Sequence, residues 1–379
     1  MYLLKANKIR CAFLASAAVI IQVLCLLQST YAQQADSIRS RVILIGDAGE
    51  MDMQQDGVIG HAARQVLTGK TTVFYLGDNI YPRGMGLPGS KEEQETKDII
   101  KSQYTPFRKL AAPVYFIPGN HDWDKSGPLG LAKIQRQDSF LKEQGDSLLS
   151  MIPANGCPGP VEIQLSKDLV VIAFDSEWWV YPYAKETAAG TCDCNTKEET
   201  IEKFKILLEK NKHKMIVLAS HHPFQSYGSH GGYFSLKDHI FPLTALNKNL
   251  YVPLPVLGSL YPLLRTTFVN PEDKAHPLYT GMINRIDSVF AGFPNLIHVA
   301  GHDHGLQFIK NDQVQVVSGS GAKHSYVRKG KHALYASTLP GYVIIDQLKN
   351  NYVRFTYYAQ TDGKFEQVFT FVKEFIPGF

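Results

Sequence analysis

Short runs of β-branched and apolar residues alternate along the chain with stretches whose apolar positions recur every three or four residues. Arg41-Val-Ile-Leu-Ile-Gly46 is the first such run and predicts a buried strand. Val58, Ile59, Ala62, Ala63, Val66 and Leu67 follow at helical spacing, with Gly69 as a stop. Thr71–Leu76 predicts a second strand, and Ser90 with Glu93 reads as a capping box opening a helix towards Tyr104. Pro113–Ile117 predicts a third strand, and Glu162–Leu165 with Leu169–Phe174 a hairpin or bent strand pair. Thr196 and Glu199 cap a helix whose apolar stripe is Ile201, Phe204, Leu207 and Leu208. Met215–Ala219 and Leu296–Ala300 are further strands. From Val314 onward the pattern is all strand: Val314–Ser318, Gly341–Ile345, Tyr352–Tyr358 and Gln367–Val372. The class is α/β with a strand-rich C-terminal third. Residues 242–294, rich in Leu, Pro and Tyr, fit the alternation least. They read as an insertion, either a lid over a site or an irregular packing excursion.

The N-terminus has its own pattern. Lys5, Lys8 and Arg10 precede an almost wholly apolar run from Cys11 to Leu27, and small residues lead to Ala32. A charged start, an apolar middle and a small-residue exit predict a secretory signal peptide over residues 1–32, cut after Ala32. An uncleaved anchor is the alternative reading. Cys25 lacks the small preceding residue that a lipid-acylation site wants. The expected compartment is therefore secreted, periplasmic or extracellular, with no stable membrane span once the signal is removed. Residues 33–379 are expected to form one catalytic domain.

Composition narrows the function class. Hydrophobic residues make up 44% and charged residues 20% of 379 positions, which suits a folded protein with a large core. The net charge is +4, with no long basic block, so there is no nucleic-acid footprint. Cys157, Cys192 and Cys194 remain after the signal. One disulfide is expected between Cys157 and one member of the Cys-Asp-Cys pair; a Cys-x-Cys metal clip is the weaker reading.

Five short motifs carry candidate chemistry: Gly46-Asp47-Ala48-Gly49, Gly77-Asp78-Asn79-Ile80-Tyr81, Gly119-Asn120-His121-Asp122, His221-His222-Pro223 and Gly301-His302-Asp303-His304. Each follows a predicted strand, so each emerges at a sheet's carboxyl edge, where open α/β sheets place their sites. Carboxylates, imidazoles, a carboxamide and a phenolate suit iron, zinc or manganese. Any one motif alone is weak, since Gly-Asp and Asn-His are common in turns. Five in series are not.

The series resembles the calcineurin-like metallophosphoesterase superfamily, and within it the purple (tartrate-resistant) acid phosphatases. Gly46-Asp47-Ala48-Gly49 lacks the histidine two places after the aspartate that most of the superfamily carries, and Tyr81 stands three residues after Asp78 as in the purple enzymes. Gly301-His302-Asp303-His304-Gly305-Leu306-Gln307 is close to the small mammalian-type pattern, and the similarity covers roughly residues 40–372. The stretch between His221 and His302 is longer than in the family. The resemblance implies a four-layer α/β/β/α sandwich of two mixed sheets and two metal ions. Asp47, Tyr81 and His304 would hold Fe³⁺; Asn120, His221 and His302 would hold Fe²⁺, Zn²⁺ or Mn²⁺; Asp78 would bridge both. His121 and His230 would be catalytic and, with Asn120, would contact substrate. Asp122 is expected to orient His121 or cap the next helix, and His222 to support the ligands or simply pack. His61, His213, His239, His276, His298, His324 and His332 belong to no motif.

The implied function is a secreted acid phosphatase that hydrolyses small phosphate monoesters by in-line attack of a hydroxide activated by the metals. A phosphodiesterase or nucleotide-directed hydrolase on the same core is the alternative, and a non-catalytic metal- or phosphate-binding protein is a third reading, disfavoured by the intact ligand set.

Overall fold

Eight-residue β1 (Ile38–Ile45) is buried at every position but Arg39, and continuously apolar from Val42 to Ile45, because both of its faces are covered. The computed structural model describes residues 37–245, 250–254 and 270–376, so the expected signal peptide at 1–32 lies outside the described residues. In chain order the strands are β1, β2 (Thr71–Leu76), β3 (Val114–Ile117), β4 (Leu149–Met151), β5 (Val161–Ser166), β6 (Leu169–Ala173), β7 (Met215–Ala219), β8 (Leu296–Ala300), β9 (Leu306–Lys310), β10 (Val314–Ser318), β11 (Ala333–Ser337), β12 (Gly341–Leu348), β13 (Tyr352–Thr361) and β14 (Lys364–Glu374). The longer helices are α1 (Met53–Ala63), α2 (Glu93–Arg108), α3 (Gly130–Glu143), α5 (Lys197–Asn211) and α7 (Pro277–Phe290); α4 (Glu177–Val180) and α6 (Leu236–Ile240) are single turns.

The strands form two seven-stranded sheets, ordered β14-β13-β12-β1-β2-β3-β4 and β11-β9-β10-β8-β7-β6-β5. Each is mixed: β1 to β4 run parallel in the first, while β6, β7, β8 and β10 run parallel in the second. The inner faces meet in an apolar core that includes Val42, Leu44, Phe74, Leu76, Val171, Val217, Val299, Phe308 and Val316. The outer faces pack on helices, with Val58, Ile99 and Phe107 over the first sheet and Phe204, Leu208, Tyr279 and Ile286 over the second. This is a four-layer α/β/β/α sandwich.

Local chemistry explains several boundaries and corrects others. Thr196 and Glu199 form the expected capping box at the start of α5. Ser90 does not cap α2: that helix starts at Glu93 with no side-chain cap, Glu93 accepts instead from the Gly89 N–H at 2.7 Å, and the helix continues through Pro106 to Arg108. α1 stops at Ala63, four residues early, and Val66 pins its turn by a backbone bond to Ala63. The disulfide joins Cys157 to Cys192, and Cys194 is a buried thiol. Within 242–294, α7 is the crossover helix between β7 and β8, with Tyr279, Met282, Ile286 and Phe290 buried in the core. The C-terminal part of the expected insertion therefore belongs to the helical layer.

One charged pair is buried in the first sheet. Arg41 on β1 donates to both oxygens of Asp346 on β12, at 2.7 and 2.9 Å, and Arg354 on β13 adds a third bond at 2.7 Å. Removing the carboxylate strands a buried guanidinium, so Asp346→Ala is expected to lose about 3–5 kcal/mol in urea unfolding. A second prediction concerns acid. Burial pushes His298, on β8, from an ordinary value of 6.5 down to about 3. The unfolded chain takes up this proton near 6.5 and the native chain does not. The contribution is thus full above 6.5 and is lost as pH falls towards 3, by up to about 1.4 kcal/mol per unit. His298→Gln can keep the bond to Ser220 Oγ, 2.8 Å long. Its stability should fall about 2 kcal/mol less than the parent's between neutral pH and pH 5, measured as urea midpoints.

Candidate metal centre

The parallel strands of both sheets end at one edge of the sandwich, and the five motifs sit there. Asp47 follows β1, Asp78 follows β2, Asn120 follows β3, His221 follows β7 and His302 follows β8. Asp47, Asp78 and His302 all adopt left-handed backbone conformations, with φ of 57°, 53° and 69°. Such conformations are costly for these residues and turn each side chain inward at the strand end. Space is equally tight. At Gly77, φ is 87° and an added Cβ would lie 2.4 Å from His221 Nδ1; at Gly119 it would lie 2.2 Å from the Asp78 nitrogen. Only glycine lets these backbones approach the site.

One group of donors comprises Asp47, Asp78, Tyr81 and His304. Tyr81 Oη lies 3.2 Å from Asp47 Oδ1 and 3.2 Å from His304 Nε2, which is itself 3.5 Å from Asp47 Oδ1. Ligand atoms of Asp47, Asp78 and His304 all fall within 4.8 Å of one another. Burial, together with the Asp78 charge, pushes the Asp47 carboxyl well above the usual carboxylate range. Burial also pushes Asp78 up, but His221, His121 and the His121 N–H outweigh it and hold that carboxyl at about 2. The Tyr81 phenol is raised by burial and by both carboxylates. Buried acids this close repel one another unless a cation stands between them.

The second group is more sharply diagnostic. His221 Nδ1 lies 2.8 Å from the Leu76 carbonyl and His302 Nε2 lies 2.7 Å from the Glu272 carbonyl. A carbonyl can only accept, so those nitrogens carry the protons. Burial holds both rings below the ordinary histidine range, which favours their neutral forms. His221 Nε2 and His302 Nδ1 are then bare lone pairs, 3.1 Å apart. Asn120 Oδ1 lies 2.9 Å from the first and 3.2 Å from the second, with its own Nδ2 turned away to Glu272 Oε1. Three acceptors face one another with no hydrogen among them. A metal cation satisfies that arrangement, and backbone carbonyls fixing the far imidazole nitrogens are the usual support for such a ligand. Asp78 Oδ1 lies 3.4 Å from His221 Nε2, so Asp78 stands between the two groups.

The flanking residues refine the sequence reading. His121 is at the rim, its Nδ1 bonded to the Pro82 carbonyl at 2.6 Å and its Nε2 3.8 Å from Asp78 Oδ2. Asp122 does not orient it and caps no helix. Its carboxylate accepts from the Gly119 and Asn79 N–H groups and from Asn79 Nδ2, tying the loops after β2 and β3 together. His230 packs on His302 with ring centroids 4.0 Å apart and planes tilted by 36°, and its Nδ1 meets Asp273 Oδ1 at 3.0 Å. His222 packs between His302 and Tyr279, with Nδ1 on Ser176 Oγ. Asp175 accepts from Trp123 Nε1 at 2.8 Å, and burial pushes its carboxyl up to about 7.

Four residues at the site have no role that the sequence reveals. Glu272 and Asp273 lie in Asn-Pro-Glu-Asp-Lys, which reads as a turn; only tertiary folding returns it to the site. Asp303, the spacer of the last motif, accepts the His230 N–H at 2.9 Å. Lys323 places its ammonium 4.6 Å above the Tyr81 ring while paired with Glu50.

Comparison with known proteins gives the family. No curated protein matches the sequence. Among solved structures, the chain is similar to GAP50, the anchor in the inner membrane complex of Plasmodium, with 16% identity over 89% of this chain and 90% of that one and a TM-score of 0.51. It is also similar to the purple acid phosphatase PPD1 of yellow lupin seeds, with 12% identity over 88% of this chain and 53% of that one and a TM-score of 0.48. A third likeness is to the calcineurin-like phosphoesterase YfkN of Bacillus subtilis, with 11% identity, coverages of 89% and 90% and a TM-score of 0.39. At this identity the likeness to GAP50 speaks to the fold alone. The sequence profile of the calcineurin-like phosphoesterase family matches residues 40–251, which span four of the five motifs and more than half of the chain, and the chain belongs to that family.

Proposed function

We propose that this protein is a dinuclear-metal phosphomonoesterase of the acid phosphatase type, exported behind the leader at residues 1–32, with residues 33–379 as one catalytic domain. The observation that carries the reading is the convergence of Asn120 Oδ1, His221 Nε2 and His302 Nδ1, which leaves three lone pairs that a cation would satisfy. Asp47, Tyr81 and His304 would hold one metal, the second would rest on Asn120, His221 and His302, and Asp78 would serve both. A phenolate with two carboxylates favours Fe³⁺, whereas a carboxamide with two imidazoles suits Fe²⁺, Zn²⁺ or Mn²⁺. When bound, the pair would lower the pKa of water and neutralise phosphoryl oxygens during an in-line displacement.

The protein's own groups complete the chemistry. His121 presents Nε2 to the site while Nδ1 stays anchored on the Pro82 carbonyl, so the ring is aimed to deliver a proton to a leaving alkoxide. His230 is oriented through Nδ1 by Asp273, which would leave Nε2 for a phosphate oxygen. Among the described residues, no helix is long and apolar enough to cross a membrane. A non-catalytic phosphate-binding role would not require the complete donor set.

Purified protein should contain about two metals per chain, show a tyrosinate-to-Fe³⁺ band in the visible and turn over p-nitrophenyl phosphate in mild acid. Tyr81→Phe should abolish the band. A colourless protein active only with added Mn²⁺ or Zn²⁺ would remove the ferric assignment, and one with neither metal nor turnover would remove the enzyme. His121→Ala should lower kcat by about 10²–10⁴-fold for an alkyl phosphate, whose leaving group needs the proton. The loss for p-nitrophenyl phosphate should be much smaller, and equal losses on both substrates would exclude the general-acid role.

A further inference from the structure

We infer that Glu272 is the positioning residue of the second half of the centre, holding Asn120 and His302 in the orientation that turns their lone pairs together; this rests on the dimetal reading above. Glu272 lies outside the five motifs, on the short segment that precedes α7. It is buried, at 8% exposure, and reaches the site twice. Its Oε1 accepts from Asn120 Nδ2 at 3.2 Å, and its backbone carbonyl accepts from His302 Nε2 at 2.7 Å.

Each contact decides a direction. The two ends of an asparagine amide differ only in which atom donates, so the carboxylate, which accepts alone, selects the rotamer that aims Oδ1 inward. The carbonyl likewise fixes the His302 proton on Nε2 and frees Nδ1. Glu272 is itself fixed: its Oε2 accepts from Asn270 Nδ2 at 3.1 Å and its backbone N–H donates to Asn270 Oδ1 at 3.3 Å. Its neighbour Asp273 meets His230 Nδ1, and the Lys274 N–H bonds the His230 carbonyl at 2.9 Å. One five-residue turn therefore grips three histidine- or amide-bearing positions of the site.

The test is Zn²⁺ titration by calorimetry into the full chain after metal depletion, for the parent, Glu272→Ala and Glu272→Gln. The parent should take two equivalents. Glu272→Ala should keep the first at parental affinity, which also reports that it folds, and bind the second about 10–100-fold more weakly. Glu272→Gln, whose amide oxygen can accept the same bond from Asn120, should stay within about threefold of the parent on this reasoning. A second equivalent as tight in Glu272→Ala as in the parent overturns the inference. So does an equal loss in Glu272→Gln, which would make charge rather than orientation the cause. A parent that takes up no Zn²⁺ would instead overturn the dimetal reading.

Discussion

The His302 N–H donates to Asp47 Oδ2 at 2.8 Å, a buried bond between the last motif of the chain and the first. It joins the two sheets where their parallel strands end. Gly46 N–H to the Ser318 carbonyl at 2.7 Å and Gly321 N–H to the Gly46 carbonyl at 3.0 Å complete the seam. Everything at the site follows from this closeness. Gly46 has the Ser318 carbonyl 2.6 Å from where a Cβ would stand, and Gly301 has Asp47 Oδ2 at 2.7 Å, so neither position has room for a side chain. The left-handed conformations of Asp47, Asp78 and His302 are held by the same seam, because the sheets on either side leave no slack in which the backbone could relax.

The parts of the fold that were legible in the sequence are those whose signal is local. Buried parallel strands announce themselves as short apolar runs, and β1, β2, β7, β8 and β10 fall where those runs lie. The Thr196–Glu199 cap is a local hydrogen-bond pattern and survived intact. Ser90 shows the limit of such patterns. It has the right spacing to Glu93, but Gly89 supplies a left-handed turn that puts its own N–H on the Glu93 carboxylate first. Helix α3 was missed because its buried positions include Gln137 and Asp138, polar residues that blur the apolar stripe.

At the site the division is the same. Asp47, Asp78, Asn120, His221 and His302 were legible because each stands immediately beyond a strand, and the topology then forces them to one edge. Glu272 and Asp273 were not, because no periodicity or turn chemistry in Asn-Pro-Glu-Asp-Lys distinguishes a surface turn from one folded over a centre. Asp122 was legible as important but misjudged in role. Proximity in sequence suggested His121, whereas its partners are backbone groups from two loops.

The two halves of the centre are built differently. Asp47 and Asp78 leave adjacent parallel strands, β1 and β2, and are buried at 0% and 1% exposure, so their carboxylates have one place to go. In the second half the strands fix where Asn120 and His302 stand but not which of their atoms point inward. An amide can flip and an imidazole can exchange tautomers without moving its Cα. That last choice is made by hydrogen-bond partners, and for both residues the partner is Glu272, carried on the turn that precedes the core-packed α7. His221 differs, since its Nδ1 is fixed by the Leu76 carbonyl on β2 itself. The scaffold alone thus commits the first half and His221, while Asn120 and His302 depend on a segment outside the sheets. On the reading proposed above, a centre divided in this way would keep one metal when the outer turn is disturbed, and the geometry of the turn would set how tightly the other is held.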